Sequence, residues 1–217
     1  MEEKTTPIRS LERKIVRHCT PTLACLKPAN LFTVPRKAAR LECEPSLLNT
    51  CRARLEPRGV RLEVLARRES GALLLVYRPA ILCESIRQPN VASYLRKAGY
   101  DPDCLAGCIE RLHHRICGTD LESRLRGTCE FPHEIGFFLG YPFDDVVGFI
   151  EHRGENSLCS GCWKVYANAH DAQACFCRFR NCTNLYQNLF DGGATLESLT
   201  ACDRTVSVTD SVKEFAL

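Results

Sequence analysis

The chain has 217 residues, of which 45% are hydrophobic and 25% charged, with a formal net charge of +3. That is enough apolar material to bury a core without disulfides or a metal as a precondition, and so small a positive balance argues against a dedicated nucleic-acid binder. The opening segment MEEKTTPIRSLERK has no apolar h-region and does not read as a secretory signal. The longest apolar runs, such as 72–77, are too short to span a bilayer. The expectation is a cytoplasmic protein with no membrane partner.

Fifteen cysteines is a high count for such a chain. The number is odd and the spacing scattered, unlike a disulfide framework. In a reducing compartment the thiols stay reduced. Cys43, Cys51, Cys83, Cys104, Cys108, Cys117 and Cys129 fall in no ligand pattern and read as small core hydrophobes.

In chain order, Pro7 opens a helix to about residue 19, with Ile8, Leu11 and Ile15 on one face. His18 falls in its last turn, where a cation complements the helix dipole. Pro21 and Pro28 keep the following segment, TPTLACLKPANLF, out of long regular structure. Lys27 sits in this connector. A second helix is expected over 37–55, broken near Pro45 and closed by Pro57-Arg58-Gly59. Residues 60–66 alternate and 72–77 form an apolar run, with Glu69-Ser70-Gly71 between them, which predicts a β-hairpin. Pro79 starts a helix to about 87, and Asn90 caps another that ends at Gly99. Asp101-Pro102 starts a third, striped by Leu105, Cys108, Ile109, Leu112 and Ile116. Residues 119–127 are polar and read as a helix end or loop. The arginines at 67–68 and along 111–126 read as solvated faces.

Pro132 and Pro142 are each expected at the first position of a short helix. Gly140 ends the first, and Asp144 and Asp145 occupy the first turn of the second, where negative charge is favoured. Residues 162–167 alternate, with Cys162, Lys164 and Tyr166 on one face and Trp163 and Val165 on the other. This predicts a strand that joins the hairpin's sheet and buries Trp163 and Val165. Asp171 begins a helix with Ala172, Cys175, Phe179, Cys182 and Tyr186 as its core stripe. A final short helix is expected over 195–201. No fixed-period repeat and no Gly-rich phosphate loop occurs. The expected fold class is α+β: a mostly helical single domain, 1–203, around a small, largely antiparallel sheet, with 204–217 as a disordered tail.

The densest cluster of motifs lies in 131–166. It contains His133-Glu134-Ile135-Gly136, Phe138-Leu139-Gly140-Tyr141-Pro142, Asp145-Val146, Gly148-Phe149-Ile150-Glu151 and Gly161-Cys162-Trp163-Lys164-Val165-Tyr166. Cys182-Thr183 follows, and Thr20-Pro21-Thr22-Leu23-Ala24-Cys25-Leu26-Lys27 precedes. Together these resemble a bacterial family, domain of unknown function thirty-seven ninety-three, over about residues 8–203. Thr20 and Cys25 stand where the family pattern has small residues. The resemblance implies a cytosolic protein of clostridia-like anaerobes and a loose association with flavodoxin and iron-uptake genes. It implies no particular activity.

Three constellations carry candidate chemistry. Cys159-Ser160-Gly161-Cys162 has the spacing for two metal corners or a redox pair. Cys177 and Cys182 complete it poorly, because on a helix they lie about 140° apart. Core thiols are therefore favoured over a four-cysteine zinc site, and Cys159 and Cys162 remain the candidate metal residues. His133 and Glu134, expected at a helix N-terminus, offer a neutral imidazole and a carboxylate. Lys27 and Lys164, with Tyr141 and Tyr166, could line an anion pocket. The reading is a binding protein for a small anionic ligand, a metal or a redox cofactor at His133, Glu134, Tyr141, Lys164 and Lys27. The alternative is a thiol- or metal-dependent redox enzyme with a flavodoxin-type partner. No complete nucleophile–base–orienter set is present to favour catalysis.

Overall fold

The computed structural model describes residues 6–119 and 131–200. At its centre lie three antiparallel strands, β1 (Ala29–Pro35), β2 (Arg61–Arg68) and β3 (Gly71–Tyr77), in the order β1-β3-β2. The middle strand is apolar throughout because helices cover both its faces. Ala72, Leu74 and Val76 join Phe32, Val34 and Leu62 in one core layer. Leu75 and Tyr77 join Ala29 and Leu65 in the other. The register of β2 shifts between Val64 and Ala66, so Leu65 and Ala66 both face the second layer. An inserted bulge residue has this effect.

The first layer is built from α1 (Pro7–Leu23), α2 (Arg36–Glu42) and α3 (Pro45–Leu55). The second holds α4 (Pro79–Ile86), α5 (Pro89–Lys97), α6 (Leu105–Cys117), the one-turn α7 (Ile135–Phe138) and α8 (Phe143–Glu151). A separate two-stranded sheet pairs β4 (Cys159–Ser160) with β5 (Lys164–Val165). The long α9 (Ala169–Asp191) packs along α1 and buries Ala172, Phe176, Phe179 and Phe190. The architecture is α+β, with helices predominating around a small antiparallel sheet. Among the described residues, no helix is long and apolar enough to cross a membrane.

Several elements depart from the sequence reading. The first helix continues through Pro21 to Leu23. A proline removes one helical hydrogen bond, but Pro21, Thr22 and Leu23 are all buried, and that burial outweighs the loss. His18 therefore lies inside the helix and not in its last turn. Its ring stacks on Phe32 at 5.3 Å, and burial, reinforced by Arg17 and Lys14, lowers its pKa. Strand β1 was hidden between Pro28 and Pro35, since nothing local announces a pairing with β3 more than forty residues on. Residues 162–167 do not join the main sheet, and only Lys164–Val165 are strand, paired with β4. Val165 is nonetheless buried and Trp163 half-buried, with Cys162 and Lys164 exposed. The expected helix over 195–201 is a turn in which Leu199 donates to the Thr195 carbonyl at 3.2 Å. Pro132 precedes α7 by three residues and Pro142 is the cap of α8. Gln88 rather than Asn90 caps α5, and Cys104 caps α6. Most of 119–127 and the tail after 203 lie outside the described residues.

Candidate functional site

The end of α1 sets the position of Lys27. Cys25 takes a left-handed conformation, φ 58°. Leu26 N–H donates to the Pro21 carbonyl at 2.7 Å, and Cys25 N–H to that of Thr22 at 3.2 Å. This is the double hydrogen bond of a Schellman helix end, where glycine is the usual left-handed residue. Buried Arg78 completes the cap, donating from Nε to the Thr22 carbonyl at 2.6 Å and from Nη2 to that of Leu23 at 2.5 Å. The chain is thereby turned so that Lys27 enters the interior.

The Lys27 side chain is only 7% exposed. Its ammonium lies 5.0 Å from the centre of the Tyr141 ring and 5.9 Å from that of Phe179. Among the described residues it forms no ion pair with a carboxylate. Nζ is not, however, among the fully enclosed polar atoms without partners. Burial pushes its pKa down to about 8, and the thiols of Cys162, Cys19 and Cys175 pull it back.

Around this ammonium the aromatic residues form a stack. Tyr141 lies parallel to Trp163 at 5.0 Å, and Trp163 meets Phe176 edge-on at 4.5 Å. The Tyr141 hydroxyl donates to the Cys162 carbonyl at 3.2 Å. Burial, with Cys162 adding, pushes the Tyr141 phenol up to about 12. Cys162 itself is raised by burial, lowered by Lys27 and raised by Cys175, with Arg180 lowering it further. Asp145 latches the small hairpin to α8. One carboxylate oxygen accepts from Trp163 Nε1 at 2.7 Å, and the other from the backbone N–H of Tyr166 and Ala167 at 2.7 and 3.0 Å. Two glycines permit close approach. A Cβ on Gly161 would lie 2.2 Å from the Phe176 ring, and one on Gly140 2.4 Å from the Pro28 ring. Gly140 thus presses the Tyr141 loop onto the Lys27 connector.

The residues expected at one site divide into three places. Lys27, Tyr141 and Cys162 come together. Glu134 turns away into the core, where it accepts from the Tyr100 hydroxyl at 2.7 Å and pairs with Arg115. It follows that Glu134 serves a buried structural pair and does not border the niche. His133 is exposed and lies tilted against Phe149, the ring centres 4.9 Å apart. Its predicted helix is a single turn, too short to lend it a dipole field. Lys164 is exposed and donates to the Gly154 carbonyl at 2.5 Å, closing the end of α8 rather than facing Lys27. Cys159 packs with Trp163 against Val165, Ala172 and Phe176, while Cys162 is exposed and its carbonyl accepts from the Tyr141 hydroxyl. Among the described residues no group of three or more His, Cys, Asp or Glu side chains is placed to hold a metal ion. Among the described residues no cysteine is bound in a disulfide.

Sequence reasoning missed Asp145 as a latch, Arg78 as a cap and Phe176 as a wall of the niche. Phe176 was detectable, since Ala172, Phe176 and Phe179 follow helical spacing. An acid in a first helical turn and an arginine before a proline carry no such signal.

The fold and niche define an α+β protein in which a buried lysine, an aromatic stack and free thiols meet where α1, α9 and a small hairpin converge. The chain belongs to the family described as "Protein of unknown function (DUF3793)", whose profile matches residues 15–200. No curated protein and no solved structure matches it.

Proposed function

We propose that the protein binds a small anion, a carboxylate or phosphate, at Lys27 between Tyr141, Phe179 and the Cys162 turn. The observation that carries this reading is the nine-tenths-buried ammonium with no anionic partner among the described residues. Buried charges ordinarily come with a counter-charge, because desolvation costs several kcal/mol per ion, of order ~5. Ring faces return only about 0.5–2 kcal/mol. An anion entering past exposed Cys162 would supply the rest, and the Cys162 thiol, its pKa raised by burial, keeps a proton to donate to it. The test is thermal stability in acetate and in orthophosphate for the natural chain and for Lys27→Met. The natural chain should be stabilised by anion, and the variant should show no anion-dependent gain. An equal gain in both would end the reading.

A second reading, thiol redox chemistry with an external flavodoxin-type electron carrier, is favoured by one observation. Cys175 acts on the charge of exposed Cys162 beside the Lys27 cation. Mild oxidation should then remove two titratable thiols from the natural chain and fewer from Cys175→Ser. Metal binding at Cys159 and Cys162 is a weaker variant of this reading, since no third ligand stands with them among the described residues.

A further inference from the structure

We infer a second anion site, independent of Lys27, at the turn end of the main sheet: Arg36, Arg40, Arg67 and Arg68 form a receptor for a small oligophosphate. Two hollows of about 350 and 280 Å³ open there, and Arg67 and Arg68 line both. Arg36 and Arg40 line the second, beside Gly71.

The backbone makes this arrangement rigid. Pro35, Gly71 and Arg68 stand in one row across the sheet, with Val34, Ala72 and Arg67 in the next. The N–H of Arg36 donates to the Ser70 carbonyl at 3.0 Å, fixing the start of α2 against the hairpin turn. Gly71 has φ 147°, and a Cβ on it would lie 2.1 Å from the Val34 carbonyl oxygen, so the turn is pressed onto β1. Successive strand residues point to opposite faces. Arg67 accordingly reaches the Cys43 carbonyl at 2.8 Å on one side and Arg68 the Ile116 carbonyl at 2.8 Å on the other. Each contact occupies one of five guanidinium donors and holds the planar head at the rim.

Among the described residues no ion pair forms at this rim, although Glu69 stands in the turn beside Arg68. Equally exposed arginines elsewhere, such as Arg13, Arg61 and Arg96, each hold a carboxylate. Among the described residues, Arg36, Arg40, Arg67 and Arg68 face none within ion-pair distance, and Glu42, the closest acid on α2, is committed to Ser10 and Lys14. Guanidinium forks match phosphate oxygens in pairs. Two hollows that share Arg67 and Arg68 suit an anion with charges several bonds apart, so linked phosphates fit better than a single one. The hollows are of small-molecule size, and no aromatic ring lines them for stacking a base. A net charge of +3 gives no extended basic track. Those points favour a small oligophosphate over a nucleic-acid strand.

Calorimetric titration of the full chain with inorganic tripolyphosphate, orthophosphate, a nucleoside triphosphate and a single-stranded oligonucleotide tests this. Tripolyphosphate should bind at least about tenfold tighter than orthophosphate. The nucleoside triphosphate should match tripolyphosphate if the phosphate chain alone is read, and exceed it clearly if a nucleotide is the natural ligand. Arg36→Gln with Arg40→Gln, side chains with no hydrogen bond or ion pair among the described residues, should weaken tripolyphosphate by about tenfold or more, and by the same factor in a Lys27→Met background, which removes any contribution of the Lys27 site. Equal binding by the double variant would overturn the proposal, and so would an oligonucleotide that binds tighter than tripolyphosphate.

Discussion

Two buried cations lie on neighbouring segments and are treated in opposite ways. Arg78, 3% exposed, gives its guanidinium to the carbonyls of Thr22, Leu23 and Arg58. Its own N–H donates to the Pro28 carbonyl at 2.9 Å, one residue from Lys27. Lys27, 7% exposed, has among the described residues two ring faces and nearby thiols but no ion pair. Arg78 ties a helix end, a turn and a strand together, so its burial serves the fold. No such service is visible for Lys27, and its pKa is pushed down accordingly. A charge kept in the interior without a structural return is a mark of a functional group.

The largest effect should come from breaking the satisfied member. Arg78→Met would take a charged donor from the carbonyls of Thr22, Leu23 and Arg58, at a cost of about 3–5 kcal/mol in total. Urea titration should show a lower midpoint at unchanged slope. A loss under about 1 kcal/mol would mean that water reaches those carbonyls and that the two cations are alike.

Lys27→Met should have the opposite sign. In the fold the ammonium loses its proton at about 8 instead of 10.5, because burial outweighs the pull of the Cys162, Cys19 and Cys175 thiols. Between those values the unfolded chain holds a proton that the native chain has released, so this group makes stability rise with pH across that window. Below it both states are protonated, and a penalty of up to about 3 kcal/mol stands against the fold. The variant should therefore be more stable at neutral pH by up to that amount. The raised thiols titrate with the opposite sign, so the informative quantity is the variant's stability minus that of the natural chain. A difference that stays constant from pH 7 to above 10 would show that Lys27 carries no such penalty.

Gly161→Ala sharpens the comparison from the aromatic side. Its Cβ would collide with the Phe176 ring, lifting the hairpin from α9 at a cost of about 1–3 kcal/mol. Trp163, the single tryptophan, should then lose its Tyr141 and Asp145 contacts, seen as red-shifted emission. Unchanged emission would place the strain elsewhere. The smallest effect concerns the shared connector. Cys25→Gly removes a Cβ from a left-handed position, for a gain of about 1 kcal/mol and about 2–4 °C in melting temperature. A fall in melting temperature would show that the Cys25 side chain contributes more than its backbone costs.

Part of this was legible in the chain. The hairpin of β2 and β3, the break between α2 and α3, and the stripe of α6 follow from periodicity and proline positions, which are local properties. The motif residues Lys27, Tyr141 and Cys162 were placed at one site and do meet. His133, Glu134 and Lys164, grouped with them on the same motifs, do not. Adjacent residues in a tight turn point in divergent directions, and Glu134 found Tyr100 and Arg115 while its neighbour His133 stayed outside on Phe149.

The sequence by itself determined the class of fold, the main hairpin and the alternation that buries Val165 beneath Cys162 and Lys164, because these depend on spacing along a few residues. Tertiary structure alone decided that α1 runs through Pro21, that β1 pairs with β3, and that β4 and β5 stand apart from the main sheet. Each of those outcomes trades a local penalty against burial contributed by distant segments. The surroundings of Lys27, which among the described residues include no carboxylate partner, belong with them: which side chains a lysine meets is settled by what the completed fold brings within reach, and spacing along the chain carries no record of that.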